Sequence, residues 1–226
     1  YWEMSFFVGI TGLVLAICGF FRGRPNTRRF STVMALVLLV LALGRYTPVF
    51  RLLYTNIPGF ASFRGSSKFL FQASLFVAML SGIGLDHVIK GNRIRRRAAY
   101  IVLAAGFVVG GGAILLGYVA NGILPEQWWQ QLLYSLYDTG ESYLPQIHYK
   151  DAAFLHQAGM TAAKSLAVAA ATLLFLAFLF FASRKHLKLT YIIGLLAVIE
   201  LFFAARTSLT TFHLASMDSP VVKRTL

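Results

Sequence analysis

The stretch Pro58 to Phe71, PGFASFRGSSKFLF, sets two cations, Arg64 and Lys68, in a turn-forming run where a long apolar segment begins. Pro58 and Gly59 make a turn. Ser66 and Ser67 then lead into the apolar run, and serine is a favoured helix N-cap. A helix start presents free N–H groups and a partial positive charge. An arginine, a lysine and a helix N-terminus together suit a phosphate, which arginine grips bidentately and lysine meets as a compact charge. Arg45 and Arg51 lie just upstream, so four cations and no acid fall between Gly44 and Lys68. The plainer alternative is that these side chains snorkel to phospholipid headgroups, and pattern alone does not choose. The string GSSK lacks the GxxxxGK[ST] spacing of a nucleotide P-loop.

Other chemistry-bearing residues are sparse. Glu200 interrupts an otherwise apolar run, and an acid at membrane depth is costly unless it faces a polar interior or a partner. A pairing with Arg206 or a neutral helix contact is the bland reading; a functional acid is the sharp one. His148, Asp151 and His156 are close in sequence, but their spacing is not that of a zinc site, so no metal is expected. No GxSxG or similar nucleophile signature is present, and no cofactor is implied. Cys18 is the single cysteine; it excludes an intrachain disulfide and reads as a packing residue.

The elements that must position these residues are membrane helices. The 226-residue chain is 58% hydrophobic and 13% charged, with a mean hydropathy of +0.68. A soluble domain carries about 25% charged residues. Six apolar runs stand out: Met4 to Phe21, Phe30 to Gly44, Phe69 to Leu85, Ala98 to Ala120, Ser165 to Ser183 and Leu189 to Ala205. A spanning helix takes about 20 residues. The expected fold is therefore all-α, a polytopic transmembrane bundle of about six spans over residues 1–206. Residues 207–226 turn polar and read as the start of an extracytoplasmic segment. The chain opens on Tyr1 and reads as a piece of a larger protein.

The formal charge of +13 would suggest nucleic acid in a soluble protein. Here the cations sit in short clusters between apolar runs, so a bilayer is the expected partner and nucleic acid is not. Twelve of them lie in three loops, Arg22 to Arg29, Lys90 to Arg97 and Arg184 to Lys188. By the positive-inside rule those loops are cytoplasmic, and both ends of the chain then face outward. Asp86, at the inner end of the third run, is expected to pair with the arginines at Arg93 to Arg97. Lys164 falls near the outer interface. The outer loop Asn121 to Lys150 holds PEQWWQQLLYSLYD, whose Trp128, Leu132 and Leu136 share one face. It reads as an amphipathic helix lying at the interface, with packing on other protein as the alternative. Oligomeric state is not legible.

The order GRYTPVFRLLY, PGFASFRGSSKFLF and SGIGLDHV, with YIIGLLAVIELFFAAR near the end, resembles the C-terminal membrane half of bacterial YfhO-type proteins of the GT-C glycosyltransferase superfamily. The matched motifs run from Gly44 to Asp86. The resemblance implies an enzyme of the bacterial cytoplasmic membrane that uses a polyprenyl-phosphate-linked sugar at the outer face. It implies that Arg64 and Lys68 grip the lipid-linked phosphate, with Ser66, Ser67, Arg45, Tyr46 and Arg51 as further candidates. The catalytic acid of such enzymes lies in a first outer loop that nothing here matches, so no catalytic residue is assigned. A transporter or flippase of a lipid-linked substrate is the alternative, as is an assembly protein without chemistry.

Overall fold

In hydrocarbon a backbone must satisfy its own hydrogen bonds, so apolar runs of this length become helices. The computed structural model describes residues 7–21, 25–44, 47–57, 68–123, 129, 131, 152–184, 186 and 188–208. Among them the chain is helical and has no strand. The helices are α1 (Ile10–Phe21), α2 (Pro25–Ala42), α3 (Pro48–Asn56), α4 (Phe69–Lys90), α5 (Asn92–Ala120), α6 (Ala152–Ala182) and α7 (Leu189–Ser208). The all-α expectation holds for these residues.

Four segments are long and apolar enough to cross a bilayer: Phe69–Lys90, Arg93–Ala120, Ala153–Ala182 and Leu189–Arg206. The first two apolar runs give less than a full span. In the run from Met4 the described helix begins at Ile10 and has 12 residues, or about 18 Å. Gly9 ends it on the N-terminal side with φ +76°, a left-handed conformation that favours glycine. Helix α2 has 18 residues, but its first turns hold Pro25, Asn26, Arg28 and Arg29, and its apolar part begins at Phe30.

The cationic cluster expected as a loop is helix. Only Gly91 separates α4 from α5, so Arg93, Arg95, Arg96 and Arg97 occupy the first turns of α5. Arg95 is 5% exposed and donates from Nη1 to the Ser183 carbonyl at 2.9 Å. It ties the start of α5 to the end of α6. Arg96 lies 5.9 Å from the Tyr100 ring centroid, a cation–π distance. Asp86 holds Lys90, one turn on in its own helix, at 2.7 Å.

Helices α5 and α6 form a long antiparallel hairpin, the most extensive pairing in the fold. On α5 the buried residues Ala99, Val102, Gly106, Ala113, Leu116 and Ala120 follow a three-and-four spacing. On α6 Leu155, Gly159, Ala163, Ala170, Leu173, Ala177 and Phe180 do the same. Gly106 faces Leu173 and Leu174, Gly110 faces Ala170, and Gly159 faces Ala120, which fixes the register. Small residues let two backbones approach where lipid offers no hydrophobic drive.

Helix α1 crosses α4 still more closely. A Cβ added to Gly19 would meet the Leu80 carbonyl, and one added to Gly84 would meet the Leu15 carbonyl. Ser81 Oγ donates across the same contact to the Gly12 carbonyl at 2.7 Å. Helix α2 also lies on α4, and Ala16 of α1, Ala35 of α2 and Val77 and Leu80 of α4 form one buried cluster. Helix α7 packs lightly on the rest and exposes Tyr191, Leu195, Val198, Phe202 and Phe203. Of the expected amphipathic segment only Trp129 and Gln131 are described, both helical. Trp129 Nε1 donates to the Leu155 carbonyl at 3.4 Å. The rest of that segment, His148, Asp151 and the polar tail 209–226 lie outside the described residues.

Candidate functional site

The phosphate-grip residues are only partly placed. Lys68 stands exposed at the N-cap of α4, in a helical conformation, with no side-chain capping bond. No carboxylate pairs with it among the described residues. Arg51 lies on α3, a short helix begun by Thr47, whose Oγ1 accepts from the Phe50 N–H at 3.3 Å, and by Pro48. Proline at the first helical position costs nothing, since that N–H has no intrahelical partner. Arg45, Tyr46, Arg64, Ser66 and Ser67 lie outside the described residues.

Glu200 is placed fully, and not beside Arg206. It lies past the middle of α7 and reaches the first turn of α1. The Thr11 N–H donates to its Oε2 at 2.9 Å, and Thr11 Oγ1 donates to its Oε1 at 2.7 Å. Both carboxylate oxygens are thus engaged by one residue at the second position of α1. The geometry is that of an N-cap supplied by another helix. A carboxylate is favoured there because helix N-termini carry partial positive charge, and charged hydrogen bonds run short. Gly9 makes room for it. A Cβ at Gly9 would lie 2.7 Å from Glu200 Oε2, so the residue before α1 must lack a side chain for two reasons, space and φ.

The level of this contact follows from the hairpin register. Thr172 of α6 lines the same cavity as Glu200 and lies close to the Gly106–Leu174 contact, near the middle of α5. The start of α1 therefore lies beside the stretch of α6 from Lys164 to Thr172, and its free N–H groups would be costly without the Glu200 cap.

Glu200 is half-buried, and its open side meets a cavity of about 690 Å³ between α1, α6 and α7. Phe7, Ile10, Val168, Ile199 and Phe203 form the apolar walls. Lys164, Ser165 and Thr172 supply the polar groups from α6. Ser165 and Thr172 donate to the carbonyls of Thr161 and Val168, at 3.0 and 2.9 Å, which leaves their oxygens as acceptors. Lys164 is exposed and lies about 12 Å along α6 from Thr172, on the side away from the arginine-bearing end. The cavity is thus lined by an acid, a cation and hydrocarbon walls. That combination accommodates an amphiphile with a charged head.

Reading the sequence singled out Glu200 but missed Gly9 and Thr11, its structural counterparts. The signal was present as Gly-x-Thr in a run with no charge. It marks a helix start only once the acid that caps it is brought from 189 residues away. Comparison with protein families, with characterised proteins and with solved structures gives no match.

Proposed function

We propose that the chain is the membrane-embedded part of a transferase that takes its sugar from a polyprenyl-phosphate carrier at the outer face of the bacterial cytoplasmic membrane. On this reading α1 and α2 also cross, giving six passes, and the residues beyond α7 begin an extracytoplasmic segment. Arg64 and Lys68, with Ser66, Ser67, Arg45, Tyr46 and Arg51 around them, hold the lipid phosphate. Their charge offsets what develops on the phosphate as the sugar leaves. The acid or base of the reaction lies outside this chain. The observation that carries the proposal is Lys68 at the head of α4, exposed and without a carboxylate partner among the described residues, following a run of cations without an acid in the order of motifs from Gly44 to Asp86.

Binding of polyprenyl phosphate to the full-length protein tests it. The Arg64→Ala, Lys68→Ala double variant is expected to lose binding and sugar transfer while inserting normally. Equal binding and transfer by a correctly inserted variant would return both cations to headgroup snorkelling.

One observation favours transport as a second reading. Transporters place half-helix N-termini at membrane depth, beside their substrates, and α1 starts that way against Glu200. Movement of a labelled lipid phosphate across proteoliposomes in the absence of acceptor would favour the flippase. Sugar transfer without such movement would favour the transferase.

A further inference from the structure

A second polar cavity lies at the opposite end of the bundle, where α1 turns into α2. It measures about 360 Å³ and is lined by Phe20, Phe21, Arg28, Arg29, Thr32 and Val33. Arg28 spends one donor on the Phe21 carbonyl at 3.3 Å, which leaves most of its guanidinium fork unused. Arg29 is exposed. Thr32 Oγ1 is buried and has no hydrogen-bond partner. A buried hydroxyl without a partner is costly, and its residue lines this cavity, which marks a place where an acceptor belongs. Threonine occupies two rotamers in a helix, so its hydroxyl is free to turn to an acceptor.

Among the described residues no acid pairs with Arg28 or Arg29. No acid occurs between Glu3 and Asp86, and Asp86 is held by Lys90. Two adjacent arginines in the first turns of α2 also oppose the partial positive charge of the helix start. They need an anion, and their planar forks fit a phosphate bidentately. Below the arginines the same side of α2 turns apolar. Val33 is 56% and Leu36 57% exposed, continuing the line from Arg29 at helical spacing. Phe20 and Phe21, in edge-to-face contact at 5.0 Å, form the facing wall. A phosphate seat that opens onto a hydrocarbon track has the shape of a phospholipid.

We propose that the α1–α2 corner is a binding site for an anionic phospholipid. Its phosphate sits on Arg28, Arg29 and the Thr32 hydroxyl, and its acyl chain runs along Val33 and Leu36. The site is independent of the transfer or transport reading, and it holds whichever side of the membrane the corner faces. Arginine matters here for its fork, so lysine does not replace it.

The test uses the full-length protein in nanodiscs of phosphatidylcholine, with phosphatidylglycerol titrated in and the retained lipid counted by native mass spectrometry. The Arg28→Gln, Arg29→Gln pair is expected to weaken retention about tenfold, in keeping with the loss of one or two charged hydrogen bonds. The Arg93→Gln, Arg96→Gln pair removes equal charge at the same end and is expected to leave retention within about twofold. Equal losses from the two pairs would reduce the effect to general surface charge and overturn the site. Competition by inorganic phosphate as strong as by the lipid would overturn the hydrocarbon track. Should the arginine pair fail to insert, Arg29→Lys and Thr32→Val serve instead. Both keep the shape of the corner, and each is expected to weaken retention severalfold, as loss of one hydrogen bond does. Wild-type retention in both would overturn the proposal.

Discussion

Glu200 accepts two hydrogen bonds from Thr11, one from its N–H and one from its hydroxyl. In Glu200→Gln the amide oxygen keeps the N–H and the hydroxyl turns to accept from the NH2, so what is lost is the charge assistance of both bonds. The expected cost is about 1–3 kcal/mol, read as a lower unfolding temperature in detergent. Glu200→Ala and Thr11→Val are expected to couple, with a double-mutant interaction of about 0.5–3 kcal/mol. Strict additivity would mean that the contact is absent in the folded protein. Gly9→Ala is expected to cost at least about 1–2 kcal/mol from its left-handed backbone alone, and more because the methyl displaces the carboxylate. A wild-type unfolding temperature for Gly9→Ala would contradict the bend before α1.

At the scale of elements, two kinds of contact set the bundle. The α5–α6 hairpin interdigitates small and large side chains along a regular stripe. The α1–α4 crossing instead brings backbone against backbone at Gly19 and Gly84. The second kind tolerates no added atom. Gly84→Val is expected to drive α1 from α4, abolish the Ser81–Gly12 bond and leave the variant unfolded or protease-sensitive in detergent. Gly82→Ala on the same helix is the control, because a Cβ there meets nothing within 4 Å. It is expected to be neutral or stabilising by about 0.5–1 kcal/mol, since alanine is the better helix former. Equal damage from both would point to helix propensity rather than to close approach.

For the whole molecule the open question is which way it sits. The arginine-bearing ends of α2 and α5 and the turn between α6 and α7 share one side of the bundle, and the positive-inside rule predicts that this side is cytoplasmic. Arg184→Cys is expected to react with an impermeant maleimide only after cells are opened. Ile123→Cys, beyond the far end of α5, is expected to react in intact cells. The native Cys18, in α1, serves as the unreactive background. The reverse pattern would invert the orientation, and with it the outward placement of Lys68.

The class of the protein was legible in the residues. Apolar runs of about spanning length force helices by backbone self-satisfaction, whatever their neighbours. Pro48 as a helix start and Gly91 as a boundary are local signals too, though the reading of the sequence used neither. What the sequence could not decide was anything needing two distant segments. It showed an acid in α7 and a glycine and threonine near the start of the chain, but not that they meet. It showed five cations from Lys90 to Arg97 as a loop, because charge density alone cannot tell an exposed loop from a helix whose arginine caps a neighbour. It counted six spans from hydropathy, where the first two runs give described helices of 12 and 18 residues, the first capped at its start by an acid from α7. Burial, partner choice and helix length near a break depend on contacts between residues far apart in the chain, and only the fold supplies those.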